Sequence, residues 1–224
     1  MKTSLFDSWT EKYDNWFATP TTQFVKKYEL ELLLQLLNPQ PGEEILDAGC
    51  GTGIFTEDVA QMGAKVTGMD ISLPMLAKGA VQLKNMNFSA VCGDMCALPF
   101  CDKSFDKAFS MTAIEFIEDA FGVIKELNRV VKKGGCIVVT TLNSRSPWAE
   151  RREEKGRSGH SLFSNISFRS PADMRLLIPD GGVVTTAIHF DKDSDVEEIP
   201  RIEAEGNKLQ LETGAFLAAQ WFRR

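Results

Sequence analysis

A chain of 224 residues can bury one sizeable core and is too short for two full enzyme domains; 43% hydrophobic and 25% charged residues exclude wholesale disorder, collagen-like repeats and a disulfide-stapled miniprotein. Thirty-one acids against 25 Lys plus Arg leave a net charge of -6, a field that repels nucleic-acid phosphates and anionic lipid. No apolar run approaches the roughly 20 residues of a membrane span, so a cytoplasmic protein with neither membrane nor nucleic-acid partners is expected. Five cysteines, Cys50, Cys92, Cys96, Cys101 and Cys136, form no CxxC pair and no zinc-ligand spacing, which suits reduced thiols and no metal.

In chain order, Phe24, Tyr28, Leu32, Leu33 and Leu36 recur at helical spacing over 21–37, and Asn38, Pro39, Pro41 and Gly42 stop the helix. Apolar runs at 45–48, 66–69, 105–111 and 136–142 then alternate with amphipathic stretches, and a weaker run at 88–92 brings the candidate parallel strands to five. The clearest helix follows Glu118, with Ala120, Val123, Ile124, Leu127, Val130 and Val131 on one face, Lys132 and Lys133 at its end and Gly134-Gly135 as terminator. The alternation predicts an α/β, doubly wound sheet behind an N-terminal helical cap.

Beyond Asn143 the pattern lapses until a strand at 183–190; an acidic loop at 191–205 and a last strand at 214–222 follow, the two strands pairing as a hairpin. One domain over 1–224 is expected: cap 1–38, core 43–142, an insertion acting as a lid at 143–181, and a C-terminal hairpin at 183–224.

The run Asp47-Ala48-Gly49-Cys50-Gly51-Thr52-Gly53 takes an apolar strand into three alternating glycines and then a helical stretch, 54–62. Such a turn brings backbone N–H groups close to a ligand, with a helix N-terminus behind them. A dinucleotide fingerprint needs GxGxxG, yet the sixth position is Ile54 counted from Gly49 and Thr56 counted from Gly51, which disfavours NAD. Asp47 beside the loop suits an ammonium better than a pyrophosphate. Asp70, ending the second strand, can accept both hydroxyls of a ribose. A nucleoside carrying a charged amine fits both acids.

These motifs, followed in order by Gly93-Asp94-Met95 and the strand at 105–111, resemble class I S-adenosylmethionine (SAM) dependent methyltransferases of the small-molecule, type-11 kind, over residues 40 to 142. The resemblance implies a Rossmann-like, seven-stranded sheet with six strands parallel and the last antiparallel, SAM as cofactor, and a small-molecule acceptor methylated by in-line displacement. It assigns the methionine part of SAM to Gly49, Gly51 and Gly53, the ribose to Asp70, and the adenine to Asp94 with Met95 and Ile71 on its faces. Met111-Thr112 would border the methionine, and Tyr13, in an aromatic cap 13–17, would lie near its carboxylate.

Methyl transfer from an activated donor mainly needs alignment and exclusion of water, so few side chains need be catalytic. His160, in the insertion, and Glu115, after the fourth strand, are the candidates for a base, with Phe116 as a wall of the acceptor cavity; His189 sits in a strand where a structural role suffices. Cys92, Cys96 and Cys101 invite comparison with arsenic methyltransferases, though small strand-end residues explain them too. Arg145, Arg151, Arg152, Lys155 and Arg157 could hold an anionic acceptor, though a solvated helix face shared with Glu150, Glu153 and Glu154 accounts for them better. A non-catalytic SAM-binding protein is the alternative reading, an NAD-dependent oxidoreductase a more distant one. Monomer and homodimer both remain compatible.

Overall fold

The computed structural model describes residues 5–160, 163, 164 and 166–224, leaving out the side chains of Lys12, Tyr13 and Asp14. In chain order the elements are α1 (Thr10–Asn15), α2 (Pro20–Leu37), β1 (Glu44–Ala48), α3 (Thr56–Gln61), β2 (Lys65–Asp70), α4 (Leu73–Gln82), β3 (Phe88–Cys92), β4 (Lys107–Ser110), α5 (Ala120–Val130), β5 (Cys136–Leu142), α6 (Pro147–Arg157), α7 (Pro171–Leu177), β6 (Val183–Ala187), α8 (Ile199–Lys208) and β7 (Phe216–Phe222). The seven strands form one sheet in the order β3-β2-β1-β4-β5-β7-β6. β7 runs antiparallel to both β5 and β6, while the pairings among β1 to β5 are parallel. Strand order therefore reverses between β1 and β4, and a doubly wound sheet opens its ligand crevice at the carboxyl ends beside such a reversal.

Because side chains alternate along a strand, each strand feeds two cores. Leu46, Ala108, Ile137, Val139 and Leu217 pack with α5 and α7 on one face. Ile45, Val66, Phe109, Val138 and Phe216 pack with α2 and α3 on the other. All seven residues of β5 are buried, as expected of a central strand covered on both sides.

Several sequence boundaries shift. The buried face of α2 is Thr22, Val25, Glu29, Leu33 and Leu37; of the expected stripe Leu33 is buried, while Phe24, Tyr28, Leu32 and Leu36, one position away from that face, are only half-buried. Helix α5 stops at Val130 because Val131 pairs with Phe105 in a bridge and the Lys132 N–H donates to the Phe105 carbonyl, so Lys132 and Lys133 lie beyond the helix. The stretch after Asn143 holds α6 and α7, each opened by a serine cap and a proline in its first turn. Part of the expected acidic loop at 191–205 is the start of α8, whose Glu203 turns inward and accepts the N–H groups of Ile188 and His189.

Candidate functional site

The turn after β1 is built from backbone hydrogen bonds. The N–H groups of Gly49 and Cys50 both donate to the Met69 carbonyl, at 2.7 and 3.0 Å, which folds the loop over the end of β2. The Gly51 N–H donates to Asp70 Oδ2 at 2.8 Å, and the Ser72 N–H to Asp70 Oδ1 at 2.8 Å. Gly49, Gly51 and Gly53 have φ of 81°, 55° and 79°, the left-handed region that a Cβ disfavours. Space separates their roles. A Cβ on Gly49 would lie 2.6 Å from the Ala113 Cβ and one on Gly53 2.7 Å from Leu83 Cδ1, whereas one on Gly51 would meet nothing within 4 Å.

A cavity of about 430 Å³ opens over this turn, within the usual size for a small-ligand pocket. Its lining includes Asp47, Gly49, Gly51, Asp70, Ile71, Asp94, Met95 and Met111. Eight of the ten residues expected to hold the cofactor thus surround one space. Gly53 lies off its lining and spaces the loop from Leu83. The Tyr13 side chain lies outside the described residues; the N-terminal segment reaches the cavity through Leu5 and Phe6 instead. Ser72 Oγ donates to Asp7 Oδ1 at 2.7 Å, and Lys78 Nζ lies 3.3 Å from Glu11 Oε1, so α4 tethers the covering segment.

Asp47 is 2% exposed. Its Oδ2 accepts the Thr56 hydroxyl at 2.6 Å, while Oδ1 is buried without a hydrogen-bond partner. Burial pushes its pKa up to about 7, with the Thr56 hydroxyl pulling the other way and Asp70 adding to the rise. An orphaned carboxylate oxygen beside a cavity is a ready acceptor for a cationic donor, which would lower that pKa again. Asp70 is also raised, first by burial, while the N–H groups of Ser72, Gly51 and Ile71 oppose the shift. Each Asp70 oxygen already holds a backbone N–H, so this acid shapes the loop and offers a ligand only its remaining lone pairs.

A second chamber, of about 220 Å³, shares Phe6, Thr112 and Phe116 with the first. Thr112 sits at the junction with φ 44°, and its N–H donates to Thr140 Oγ1 at 3.0 Å, which holds this strained backbone at the end of β4. Both base candidates, Glu115 and His160, line the chamber, as does Phe116; His189 lies in a different groove beside β6. Glu115 is 1% exposed, and burial pushes its pKa up to about 7 against the pull of the Thr141 hydroxyl, Arg169 and Arg152.

Among the charged lining residues, Glu29 escaped sequence reasoning and Arg152 was placed chiefly on a solvated face. Glu29 holds an inward position of α2, and burial raises its pKa to about 8, opposed by Arg152. Arg152 departs from the expected solvated face: Arg151 pairs with Asp193 at 2.7 Å outside, while Arg152 turns into the chamber over the Trp148 ring, its Nη1 buried and unpartnered. The available signal was Glu29 itself, a carboxylate four residues from both Val25 and Leu33. Among the described residues no group of three or more His, Cys, Asp and Glu could hold a metal, and no helix is long and apolar enough to cross a membrane.

Residues 46–139 match the family model of a methyltransferase domain. The chain is similar to a malonyl-[acyl-carrier protein] O-methyltransferase of Pseudescherichia vulneris, 38% identical over 122 residues, or 54% of this chain and 48% of that protein. It is likewise similar to a demethylmenaquinone methyltransferase of Corynebacterium kroppenstedtii, 35% identical over 140 residues, 62% of this chain and 59% of that one. The chain thus spans about half the length of the curated relatives it matches. In fold it resembles a crystal structure of a SAM-dependent methyltransferase from Thermotoga maritima, described as a possible histamine N-methyltransferase, with a TM-score of 0.75, 23% identity and coverage of 98% of this chain and 99% of that one. Residues 46–139 thus match a methyltransferase domain, and the fold is shared with that SAM-dependent methyltransferase structure.

Proposed function

We propose that this chain transfers a methyl group from SAM to a small-molecule acceptor. The observation that carries the reading is the orphaned Asp47 Oδ1 on a cavity whose lining also includes Gly49, Gly51, Asp70 and Asp94. Asp47 would receive the ammonium of the methionine part, Asp70 the ribose hydroxyls, and Asp94 the adenine amino group, with Met95 and Ile71 against the ring and Met111 beside the methionine. A bound SAM supplies an activated sulfonium methyl group. The protein's task is then alignment and exclusion of water, and the apolar cover of Leu5, Phe6 and Phe116 serves the second. The acceptor is assigned to the chamber across Thr112, which shares Phe6, Thr112 and Phe116 with the donor cavity.

Incubation with methyl-tritiated SAM and a small-molecule metabolite extract tests the reading. Label is expected in a small molecule chromatographically distinct from SAM, and only when the chain is present. SAM binding without any transfer would instead support a non-catalytic binding protein. The acidic surface agrees with an acceptor other than nucleic acid, and a cytoplasmic location is part of the same proposal.

A further inference from the structure

We propose that the chamber across Thr112 takes a flat aromatic acceptor bearing a neutral hydroxyl, with Glu115 as the base that receives its proton and Arg152 as the donor that steadies its oxygen. This rests on the donor assignment above and deepens it. Among the described residues, three buried polar atoms without partners belong to residues lining this one chamber: Glu115 Oε1, Arg152 Nη1 and His160 Nδ1. An unpaired acceptor and an unpaired donor in one small space are costly unless a ligand completes them. A hydroxyl can donate to a carboxylate and accept from a guanidinium at once, whereas a carboxylate ligand would leave Glu115 facing another acceptor and an ammonium would leave Arg152 unpaired.

The walls point to the body of the ligand. Phe6, Trp9, Trp16, Phe17, Phe116 and Phe163 line the chamber. Phe6 meets Phe116 edge-on at 4.8 Å, and His160 stacks on Phe163 at 4.7 Å. Ring edges and faces of this kind favour another ring, and about 220 Å³ suits one or two rings, since a dry cavity of about 150 Å³ takes benzene. Charge favours a neutral guest: Glu29 and Glu115 are set against Arg152 and Lys155 in the lining, with Arg169 acting on Glu115 from beyond it.

In the reaction the acceptor's O–H bond breaks and its proton passes to Glu115. The oxygen lone pair forms the bond to the donor methyl carbon, and the carbon–sulfur bond breaks with its electron pair left on sulfur. The sulfonium charge is lost as the proton is gained by the carboxylate, so atoms and charge balance. Glu115, raised to about 7 by burial, is suited to accept a proton near neutral pH.

The test uses the full chain saturated with S-adenosylhomocysteine, titrated calorimetrically with 2-naphthol, 2-naphthoate and the cationic 2-naphthylmethylamine. 2-Naphthol is expected to bind at least tenfold more tightly than either analogue. Glu115→Gln and Arg152→Gln are each expected to weaken it at least tenfold, with S-adenosylhomocysteine affinity, the check on folding, within twofold of the unaltered chain. With SAM in place of S-adenosylhomocysteine, formation of 2-methoxynaphthalene should rise with pH through about 7, and Glu115→Gln should lower it at least a hundredfold and flatten that profile. Preference for 2-naphthoate or 2-naphthylmethylamine, no binding of 2-naphthol to the S-adenosylhomocysteine complex, or a 2-naphthol affinity in both variants equal to that of the unaltered chain would overturn this inference and leave the donor assignment standing. Should either variant fail to fold, a flat pH profile for the unaltered chain would overturn it alone. Failure of S-adenosylhomocysteine itself to bind would overturn the donor assignment and this inference with it.

Discussion

Asp47, as the proposed seat of the donor's ammonium, would couple pH to ligand binding. Its pKa of about 7 belongs to a carboxyl deprived of water, and a cationic amine is held by the ionised form. Below about pH 7 the carboxyl is protonated, and binding must expel that proton; above it the charge is already present. The affinity for S-adenosylhomocysteine should therefore rise with pH through neutrality and level off, and Asp47→Asn should flatten the curve when both are followed by calorimetry. Asp70 has a different burden, because its two oxygens anchor the N–H groups of Gly51 and Ser72 as well as facing the cavity. Asp70→Ala is expected to weaken S-adenosylhomocysteine binding by about 1.5 to 3 kcal/mol, the range for lost charge-assisted hydrogen bonds. Unchanged affinity would place the ribose elsewhere.

At the scale of elements, α4 does two jobs through Ser72. Its hydroxyl caps the helix, accepting the Met75 N–H, and donates to Asp7 in the segment that carries Leu5 and Phe6 over the cavity. Asp7→Ala should speed S-adenosylhomocysteine dissociation several-fold in stopped-flow while leaving the urea midpoint near that of the unaltered chain. Ser72→Ala should do the same and also cost about 1 kcal/mol of stability, the usual value of a lost cap. The core strands were legible because burial on both faces writes continuous apolar runs, as in β5, and the glycine turn was legible because positive φ at three alternating positions selects glycine. Helices α6 and α8 were not: α6 is mostly charged, with only Trp148 and Ala149 buried, and α8 buries only Ile199, Glu203 and Gly206, so neither writes a broad apolar stripe. Arg152 could not be singled out from its basic cluster for the same reason, since its neighbours Arg151 and Glu153 give no sign of which charge turns inward.

For the whole molecule, burying acids has a thermodynamic consequence. Glu29, Glu115 and Asp47 have folded pKa values of about 8, 7 and 7 against ordinary values of 4.5, 4.5 and 3.8. Between about pH 4.5 and 8 the folded chain therefore holds protons that the unfolded chain has released, so these groups make stability fall as pH rises. Acids held low by partners, such as Glu126 beside Arg129 and Asp173 beside Ser170, act in the opposite sense at lower pH. Urea midpoints should be higher near pH 6 than near pH 8.5, and Glu29→Gln should reduce that difference. The fold tolerates these acids where the two cavities meet the sheet's carboxyl edge, beside the reversal between β1 and β4 where ligand-facing groups gather. Calorimetric titration of the chain with S-adenosylhomocysteine, with NAD in a parallel cell, is the most direct measurement of whether that edge holds SAM. One site with a Kd well below about 1 mM for S-adenosylhomocysteine, and weaker or no binding of NAD, is the predicted result; no heat from S-adenosylhomocysteine, or tighter binding of NAD, would contradict the account.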